Sequence, residues 1–311
     1  MVRLTRRMLL TLLSALLAVS CASQFSPAVL GRTGADGHPP VAKKIPHTTE
    51  IHGLTLKDDY FWLREKKNPD VIQYLESENA YTEEMMKPTR DIQDSLYKEM
   101  LGRIKQTDLS VPSRIGQYYY YQRTEEGKQY PYMCRKKAGL NGQMDGQEEL
   151  LLDLNKLAEG HSFLGLGGFH VSDDGNLLAY STDTTGYRQY NLHVKDLRTG
   201  ETLSENIERV GSIVWSSDNK TLFYTTEDAV SKRSDKFWRH AVSSDKNDLI
   251  YEEKDELFDV FARRSDDKKV IFLVSAAKTS TEYRYLMADN PTGEFKVVIA
   301  RRDGHEYSVE H

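Results

Sequence analysis

From Val111 onwards, the chain repeats a short apolar or aromatic run after a polar turn. The runs occupy residues 118–121, 177–180, 221–224 and 270–273, and three of them follow closely related turns that begin at Ser172, Ser216 and Ser265. Asp, Asn and Gly favour tight turns, and short runs rich in aromatic and β-branched residues favour strands. Each copy therefore predicts a turn and a strand that open a structural unit. A second predicted strand follows each run, at residues 130–135, 190–194, 237–241 and 283–287.

The spacing of the copies predicts the architecture. The related turns begin at residues 172, 216 and 265, so they are 44 and 49 residues apart. A repeat of this length with several short strands is typical of a β-propeller blade. One small antiparallel sheet cannot bury both of its faces, whereas radially stacked copies cover one another. The predicted fold is all-β with an N-terminal helical arm, and residues 109–311 form an incomplete propeller of about four to five blades.

Before residue 109 the apolar period is helical. Asn68, Pro69 and Asp70 form a helix-start pattern of a capping side chain, a proline at the first position and an acidic first turn. A second helix is predicted near Thr89, because Ile92, Leu96, Met100 and Ile104 are four residues apart. Residues 46–108 are therefore predicted to be a helical arm.

The first 45 residues differ from the rest. Arg3, Arg6 and Arg7 precede an apolar run at residues 8–19 that is too short to span a membrane, and small residues follow it. This pattern predicts a secretory signal peptide over residues 1–21, and residues 22–45 are predicted to be a linker. The sequence "AVSC" resembles a bacterial lipobox, which predicts lipidation of Cys21; the alternative is ordinary cleavage beside an incidental cysteine. The protein is expected to be exported, as a periplasmic or envelope-anchored lipoprotein of a bacterium.

Composition adds limits on partners. The 311 residues carry a net charge of −5, with 29% charged and 39% hydrophobic residues, as in a soluble globular protein. A nucleic-acid-binding protein usually has a basic face, so no nucleic-acid partner is expected. The protein is expected to contact the membrane only through the lipid on Cys21. With Cys21 lipidated, Cys134 has no cysteine partner within the chain.

Five segments in order resemble one enzyme family. They are "DDYFWLRE" at 58–65, "YYYYQRTEEGKQYP" at 118–131, "LLAYSTDTTGYRQYNLHVKDLRTG" at 177–200, "KTLFYTTEDAVSKRSDKFWRH" at 220–240 and "YEEKDELFDVF" at 251–261. Together they resemble the N-terminal part of the prolyl oligopeptidase family, in particular its oligopeptidase B members. The resemblance runs from about Pro40 to the last residue.

The resemblance implies a seven-bladed propeller that gates an α/β-hydrolase domain, onto which the helical arm wraps. It implies cleavage of short peptides after Arg or Lys by a serine, aspartate and histidine of the C-terminal domain. These 311 residues contain no Gly-x-Ser-x-Gly nucleophile elbow, and the hydrolase domain is expected to be absent from them. The chain is therefore expected to be inactive alone, with short basic peptides as partners only when that domain is present.

Other candidate chemistry is weak. Gly160, Ser162 and Gly165 only superficially imitate an elbow, and this segment is interpreted as a loop that enters a strand. Cys134 is expected to pack in a strand. The pair Asp58 and Asp59 is expected to anchor the arm.

Two further groups of side chains also have no predicted chemical role. The pair Glu252 and Glu253 is expected on a solvated blade edge. His305 and His311 are too sparse for a metal site. The sequence therefore predicts no catalytic, cofactor-binding or metal-binding residue in these 311 residues. The alternative function is a stand-alone propeller-type binding module on the cell envelope.

The lipidation of Cys21 predicts a phase-partition result. The mature protein is expected to enter the detergent phase of a Triton X-114 extraction, because an acyl chain buries apolar surface there. Cys21→Ala should move it to the aqueous phase, whereas Cys134→Ala should not. Equal partitioning of the wild type and Cys21→Ala would exclude the lipid.

Overall fold

A computed structural model of the chain describes residues 38–311. The described part divides into two compact units after Lys105. The first unit contains a hairpin and two α-helices, and the second contains the predicted blades. The predicted boundary at residue 108 lies close to this division. Between residues 38 and 311, no helix combines the length and the apolar character needed to cross a membrane.

The N-terminal unit begins with a β-hairpin that the sequence analysis did not predict. Strand β1 (His47–Ile51) pairs antiparallel with β2 (Leu54–Asp58). The two turn residues, His52 and Gly53, have φ values of 50° and 74°, as a type I′ hairpin turn requires. Most side chains of this hairpin are exposed, so no apolar alternation marks it. The predicted helical arm over 46–108 therefore also contains a hairpin before its helices.

The two predicted helices are confirmed. Helix α1 (Pro69–Met86) starts with the Asn68 side chain accepting a hydrogen bond from the Asp70 backbone N–H, with Pro69 at the first helical position. Helix α2 (Arg90–Gly102) begins directly after Thr89, although the Thr89 side chain makes no cap.

The second unit consists of separate antiparallel sheets, one for each predicted repeat. Neighbouring strands in each sheet are consecutive in the chain, as in propeller blades. Helix α3 (Leu154–Leu157) is a single turn between the first two blades. Blade 1 contains β3 (Ser113–Ile115), β4 (Tyr118–Arg123), β5 (Tyr132–Ala138) and β6 (Met144–Asp153); blade 2 contains β7 (Gly165–Val171), β8 (Leu177–Asp183) and β9 (Asn191–Asp196). In blade 2, residues 202–207 take the place of a fourth strand through isolated bridges to β9.

Two further sheets complete the series. Blade 3 contains β10 (Val210–Trp215), β11 (Thr221–Glu227), β12 (Ser234–Ala241) and β13 (Asn247–Glu252); blade 4 contains β14 (Asp259–Arg264), β15 (Val270–Ala276), β16 (Thr281–Met287) and β17 (Lys296–Val297). The incomplete propeller of about four to five blades is thus confirmed, with four blade sheets in the described residues.

The position of the repeated turn within a blade differs from the prediction. The turn does not open the blade, because β7, β10 and β14 precede the turns at Ser172, Ser216 and Ser265. Each turn instead connects the first strand of its blade to the second. The first strands contain Gly167, Gly168 and Gly211 or partly exposed side chains, so their apolar signal is weak.

The blades are held together by apolar contacts between faces of neighbouring sheets. Leu178 and Tyr180 of blade 2 pack with Met133 and Leu151 of blade 1. The other face of blade 2 packs on blade 3, and the other face of blade 3 packs on blade 4. Burial on both faces explains why β8, β11 and β15 are nearly continuous apolar runs.

The contact between blades 3 and 4 predicts a large loss of stability on truncation. Phe223 is fully buried between the blades, where its ring meets Phe237 and Phe295. Phe223→Ala should lower the free energy of unfolding by about 3 to 5 kcal/mol, because it leaves a cavity. Phe261, on the first strand of blade 4, is 37% exposed, and Phe261→Ala should cost about 1 kcal/mol. Urea unfolding midpoints measure both, and equal midpoints would contradict this description of the core.

Candidate binding site at the blade turns

The three repeated turns share one hydrogen-bonding pattern. In each, the fourth residue donates its backbone N–H to the carbonyl of the first, as in Gly175 to Ser172 at 2.9 Å. The first residue then donates to the carbonyl of the following strand, as in Ser172 to Leu177 at 2.9 Å. The sequence thus folds locally into a β-turn that closes a hairpin. We call the turns Ser172–Gly175, Ser216–Asn219 and Ser265–Lys268 the turn cluster.

The third position of each turn is an aspartate that caps the turn. Asp174 accepts from the Ser172 hydroxyl at 2.6 Å and from the Asn176 backbone at 3.1 Å. Asp267 does the same with Ser265 and Lys269, and Asp218 accepts from the backbone N–H groups of two following residues, both at 2.9 Å. Local side-chain bonds of this kind are why Asp is favoured in turns.

The fourth position has a left-handed backbone conformation. Gly175, Asn219 and Lys268 have φ values of 75°, 57° and 65°. Glycine adopts this conformation without strain and asparagine is enriched there, but lysine is an uncommon choice. Lys268 therefore stands where the backbone alone would favour glycine.

The second position connects the turns to one another. Asp173 accepts hydrogen bonds from Arg264 at 2.7 Å and from Lys268 at 2.9 Å, so a carboxylate of blade 2 is paired with two cations of blade 4. Arg264 also donates to the Ser217 hydroxyl of blade 3 at 2.9 Å. The Asp174 backbone N–H donates to the Asn219 side chain at 3.1 Å. Three successive blades are thus bonded together at one end of their first strands.

These cations change the acidity of Asp173. Partial burial alone would raise the pKa of its carboxyl group, but the hydrogen bonds and charges of Arg264 and Lys268 outweigh burial. The pKa of Asp173 therefore lies below its ordinary value, and the group is ionised at neutral pH.

A cavity of about 480 Å³ opens beside the turn cluster. Its volume lies in the usual range for small-ligand sites. Blades 1 and 2 provide most of the wall, and Lys268 of blade 4 reaches its rim. The apolar part of the wall consists of Ile115, Tyr118, Tyr120, Phe169 and Val171.

Arg135 fixes the blade 1 side of this cavity. Its guanidinium lies 4.0 Å from the Tyr118 ring centroid and donates to the Gly175 carbonyl at 2.6 Å and to Glu149 at 2.7 Å. Arg135 is only 5% exposed. The aromatic wall of blade 1 is therefore bonded to the turn of blade 2.

The structure places Cys134 away from this cavity. Cys134 lies in β5, where it is 1% exposed and packs with Tyr121 and Tyr132. Burial raises the pKa of its thiol to about 11, so it is protonated at neutral pH. A protonated and buried thiol is a poor nucleophile, which agrees with the predicted packing role.

The two acidic pairs have structural partners. Asp58 ends β2 and accepts from the Tyr60 backbone at 2.8 Å, so it anchors a turn of the arm as expected. The expectation of a solvated blade edge is wrong for Glu253, which is 4% exposed.

Glu253 is buried because Arg301 covers it. Burial opposes its ionisation, but Arg301, the Tyr251 hydroxyl at 2.7 Å and the Asp255 backbone at 3.1 Å bond to it and lower its pKa to about 2. Arg301 also lies 3.7 Å from the centroid of the Phe258 ring. The partner is 48 residues away in sequence, which is why the pair alone did not reveal this site.

The remaining sequence candidates lie apart from one another. Ser162 is exposed in the loop before β7, as the sequence predicts for this segment. His305 stacks on Tyr307, and His311 lies 2.9 Å from Asp267. Over residues 38–311, no group of three or more His, Cys, Asp or Glu side chains is arranged to hold a metal ion. Cys21 lies outside the described residues.

Sequence reasoning missed the residues that connect the turns. Arg264 directly precedes the third turn, and Lys268 occupies its left-handed position. The available signal was a lysine where the other copies have Gly175 and Asn219. The pairing partner, Asp173, is 91 and 95 residues away, and only the fold brings it close.

Comparisons with known proteins agree on one family. Residues 39–311 match the family model described as prolyl oligopeptidase, N-terminal beta-propeller domain. The chain is 40% identical over 278 residues to Protease 2 of Moraxella lacunata and 36% identical over 304 residues to dipeptidyl aminopeptidase BI of Pseudoxanthomonas mexicana. These alignments cover 88% and 92% of this chain, which spans 40% and 42% of the two relatives.

A solved structure shows the same fold. Oligopeptidase B from Leishmania major superposes with a TM-score of 0.79 at 28% sequence identity. The match covers 88% of this chain and 41% of that one.

The turn pattern predicts that the aspartate cap is a stabilising acceptor. Asp218→Ala should lower the free energy of unfolding by about 1 kcal/mol, because it removes the acceptor for the Lys220 and Thr221 backbone N–H groups. Asp218→Asn keeps a side-chain oxygen and should cost less than half as much. Urea unfolding of both variants measures the difference; equal losses would show that charge, rather than the hydrogen bonds, stabilises the turn.

Proposed function

Because this chain belongs to the prolyl oligopeptidase family, we propose that it is the N-terminal gating propeller of an oligopeptidase B-like serine peptidase. The whole enzyme cleaves short peptides after arginine or lysine by acyl transfer through a serine. The propeller contributes no reacting group. It acts as a wall that admits short peptides and excludes folded proteins.

The main support for this proposal is the agreement between the fold of this chain and that of a solved oligopeptidase B. Four face-packed sheets follow the arm, and their fold matches a solved oligopeptidase B over 88% of the chain. Acyl transfer needs a nucleophile, a base that activates it and donors for the oxyanion. Cys134, the one free thiol among the described residues, is buried and protonated, and the 311 residues contain no nucleophile elbow. A gating role is therefore the function that these residues support.

A gate must keep its shape while peptides pass, and the packing suits this role. Apolar clusters join blade 1 to blade 2, blade 2 to blade 3 and blade 3 to blade 4. The turn cluster adds charge-assisted hydrogen bonds between blades 2, 3 and 4. Such bonds are stronger than neutral ones, so they resist separation of the blades at this end.

The place of action is part of the proposal. The N-terminal arginines, the short apolar run and Cys21 favour export and a lipid anchor at the bacterial envelope. An exported peptidase of this kind degrades short basic peptides outside the cytoplasm. The partition of Cys21→Ala, described above, tests this location separately from the activity.

The proposal predicts where activity resides. The 311-residue chain should not hydrolyse chromogenic peptides that end in Arg or Lys, because it contains no nucleophile elbow. The protein produced from the coding DNA read beyond codon 311 should hydrolyse them, and a serine-directed reagent should abolish the turnover. Neither the 311-residue chain nor the longer protein should cleave the matched peptide that has Glu in place of Arg.

Two results would contradict the proposal. The first is turnover by the 311-residue chain that the serine reagent inhibits. The second is coding DNA with only unrelated sequence beyond codon 311, in either the same or a shifted frame. If the second result came with a monomeric chain that unfolds cooperatively, the stand-alone binding module would replace the peptidase.

A further inference from the structure

The loop between β5 and β6 of blade 1 contains the one Asn-Gly sequence of the chain, Asn141-Gly142. The loop is a tight turn in which the Gly142 backbone N–H donates to the Gly139 carbonyl at 2.9 Å. A second backbone hydrogen bond, from Gly139 to the Gln143 carbonyl at 2.8 Å, closes the loop. Gly142 has a φ of 75°, in the left-handed region that favours glycine. The fold of the loop therefore favours a glycine directly after this asparagine.

The Asn141 side chain is folded back onto this loop. Its Oδ1 atom accepts a hydrogen bond from the Gln143 backbone N–H at 3.1 Å, which keeps the side-chain carbonyl beside the backbone of Gly142. A hydrogen bond to a carbonyl oxygen also stabilises the negative charge that develops there during a nucleophilic attack. Asn141 is exposed and its neighbour Leu140 is fully exposed, so water reaches this part of the loop. The side-chain carbonyl of Asn141 is thus oriented, polarised and accessible.

The next residue, Gly142, presents a backbone nitrogen that no side chain of its own covers. Its N–H is bonded to the Gly139 carbonyl, so the loop must open locally before this nitrogen can react. Local opening costs least in exposed loops with few buried apolar contacts, and the exposed Leu140 side chain adds none. A reaction of this nitrogen therefore requires the loop to open, whereas the sheet of blade 1 can stay folded.

From this arrangement we propose that Asn141 is a site of spontaneous deamidation, a reaction to which asparagine owes its chemical lability. The Gly142 nitrogen attacks the side-chain carbonyl carbon of Asn141, and the amide group leaves as ammonia with the proton that the nitrogen loses. Water then opens the resulting succinimide ring. Cleavage of the bond from nitrogen to the side-chain carbonyl carbon gives aspartate, and cleavage of the bond to the main-chain carbonyl carbon gives isoaspartate. The reaction needs only water, and it is independent of the proposed gating function.

The two products change the loop differently. Aspartate keeps a side-chain oxygen for the Gln143 backbone N–H, so the turn stays closed. Isoaspartate routes the main chain through the former side chain and lengthens the loop by one carbon, so the bond between Gly139 and Gln143 should be lost. The Tyr119 hydroxyl donates to the Gly142 carbonyl, so the change extends to β4. Isoaspartate is therefore the product that weakens this end of blade 1.

Peptide mapping of the folded 311-residue chain tests this site. The protein is incubated at mildly alkaline pH and digested with trypsin, which releases residues 138–156 as one peptide because cleavage follows Lys137 and Lys156. The peptide should become one mass unit heavier, because an NH₂ group is replaced by OH. It should also separate into an aspartate and an isoaspartate species on reversed-phase chromatography. Fragment ions should place the change at Asn141 and leave Asn155 unmodified.

Asparagines elsewhere in the chain provide the controls. Asn176 and Asn219 lie in other hairpin turns but are followed by leucine and lysine, whose side chains hinder attack by the next nitrogen. Both should stay unmodified in the time in which Asn141 is converted. Asn141→Gln should abolish the mass change, because glutamine must form a larger ring. Asn290→Gln, at an exposed position in blade 4, is the matched variant and should leave the conversion of Asn141 unchanged.

The chain unfolded in urea gives the reference rate for the same sequence without the loop. An Asn141 that stays intact in the folded chain while it is converted in urea would overturn the proposal. Conversion of Asn176 or Asn219 as fast as that of Asn141 would also overturn it, because the loop would then have no part in the reaction. The isoaspartate species should unfold at a lower urea midpoint than the aspartate species, and equal midpoints would contradict the predicted loss of the loop bond. These measurements do not involve peptide hydrolysis, so they leave the gating proposal untouched.

Discussion

The burial of both faces of each small sheet is the constraint on which the rest of this structure depends. A four-stranded sheet has two apolar faces and no means of covering either by itself. Stacking blade 2 between blades 1 and 3, and blade 3 between blades 2 and 4, removes both faces from water. The sheets share no backbone ladder, so the contact between blades is made mainly by side chains, with single backbone bonds such as Ser217 N–H to the Ala288 carbonyl at 2.9 Å. The repeat in the sequence follows, because every blade must present the same kind of surface to its neighbours.

The same constraint determines where polar side chains lie in each blade. Strands such as β15 are buried almost throughout, so their side chains are committed to packing. Polar groups gather instead in the turns and the connections between blades, where Asp173 meets Arg264 and Glu253 meets Arg301. Both pairs join different blades. The apolar faces supply most of the burial, and the pair of Asp173 and Arg264 joins blades 2 and 4, which both pack on blade 3.

The elements that a local pattern defines were predictable from the sequence, whereas the others were not. Asn68 with Pro69 marks a helix start through bonds within three residues, and the fold confirms it. The second strands were visible because they are buried on both faces. The first strands were missed because β7 and β10 carry glycines, and Gly168 lies so close to Ile213 of blade 3 that a Cβ atom would come within 2.8 Å of that side chain. The cavity could not be predicted, because only the fold brings Lys268 and Tyr118 to the wall of the same cavity.

The repeated turn also divides its own four residues between two tasks. The backbone of each turn and the aspartate at its third position are occupied by local hydrogen bonds, so folding constrains them. The side chains of Asp173 and Ser217 at the second position, and of Asn219 and Lys268 at the fourth, bond to other blades. The side chains that join the blades at this end are therefore separate from the backbone bonds that close each hairpin.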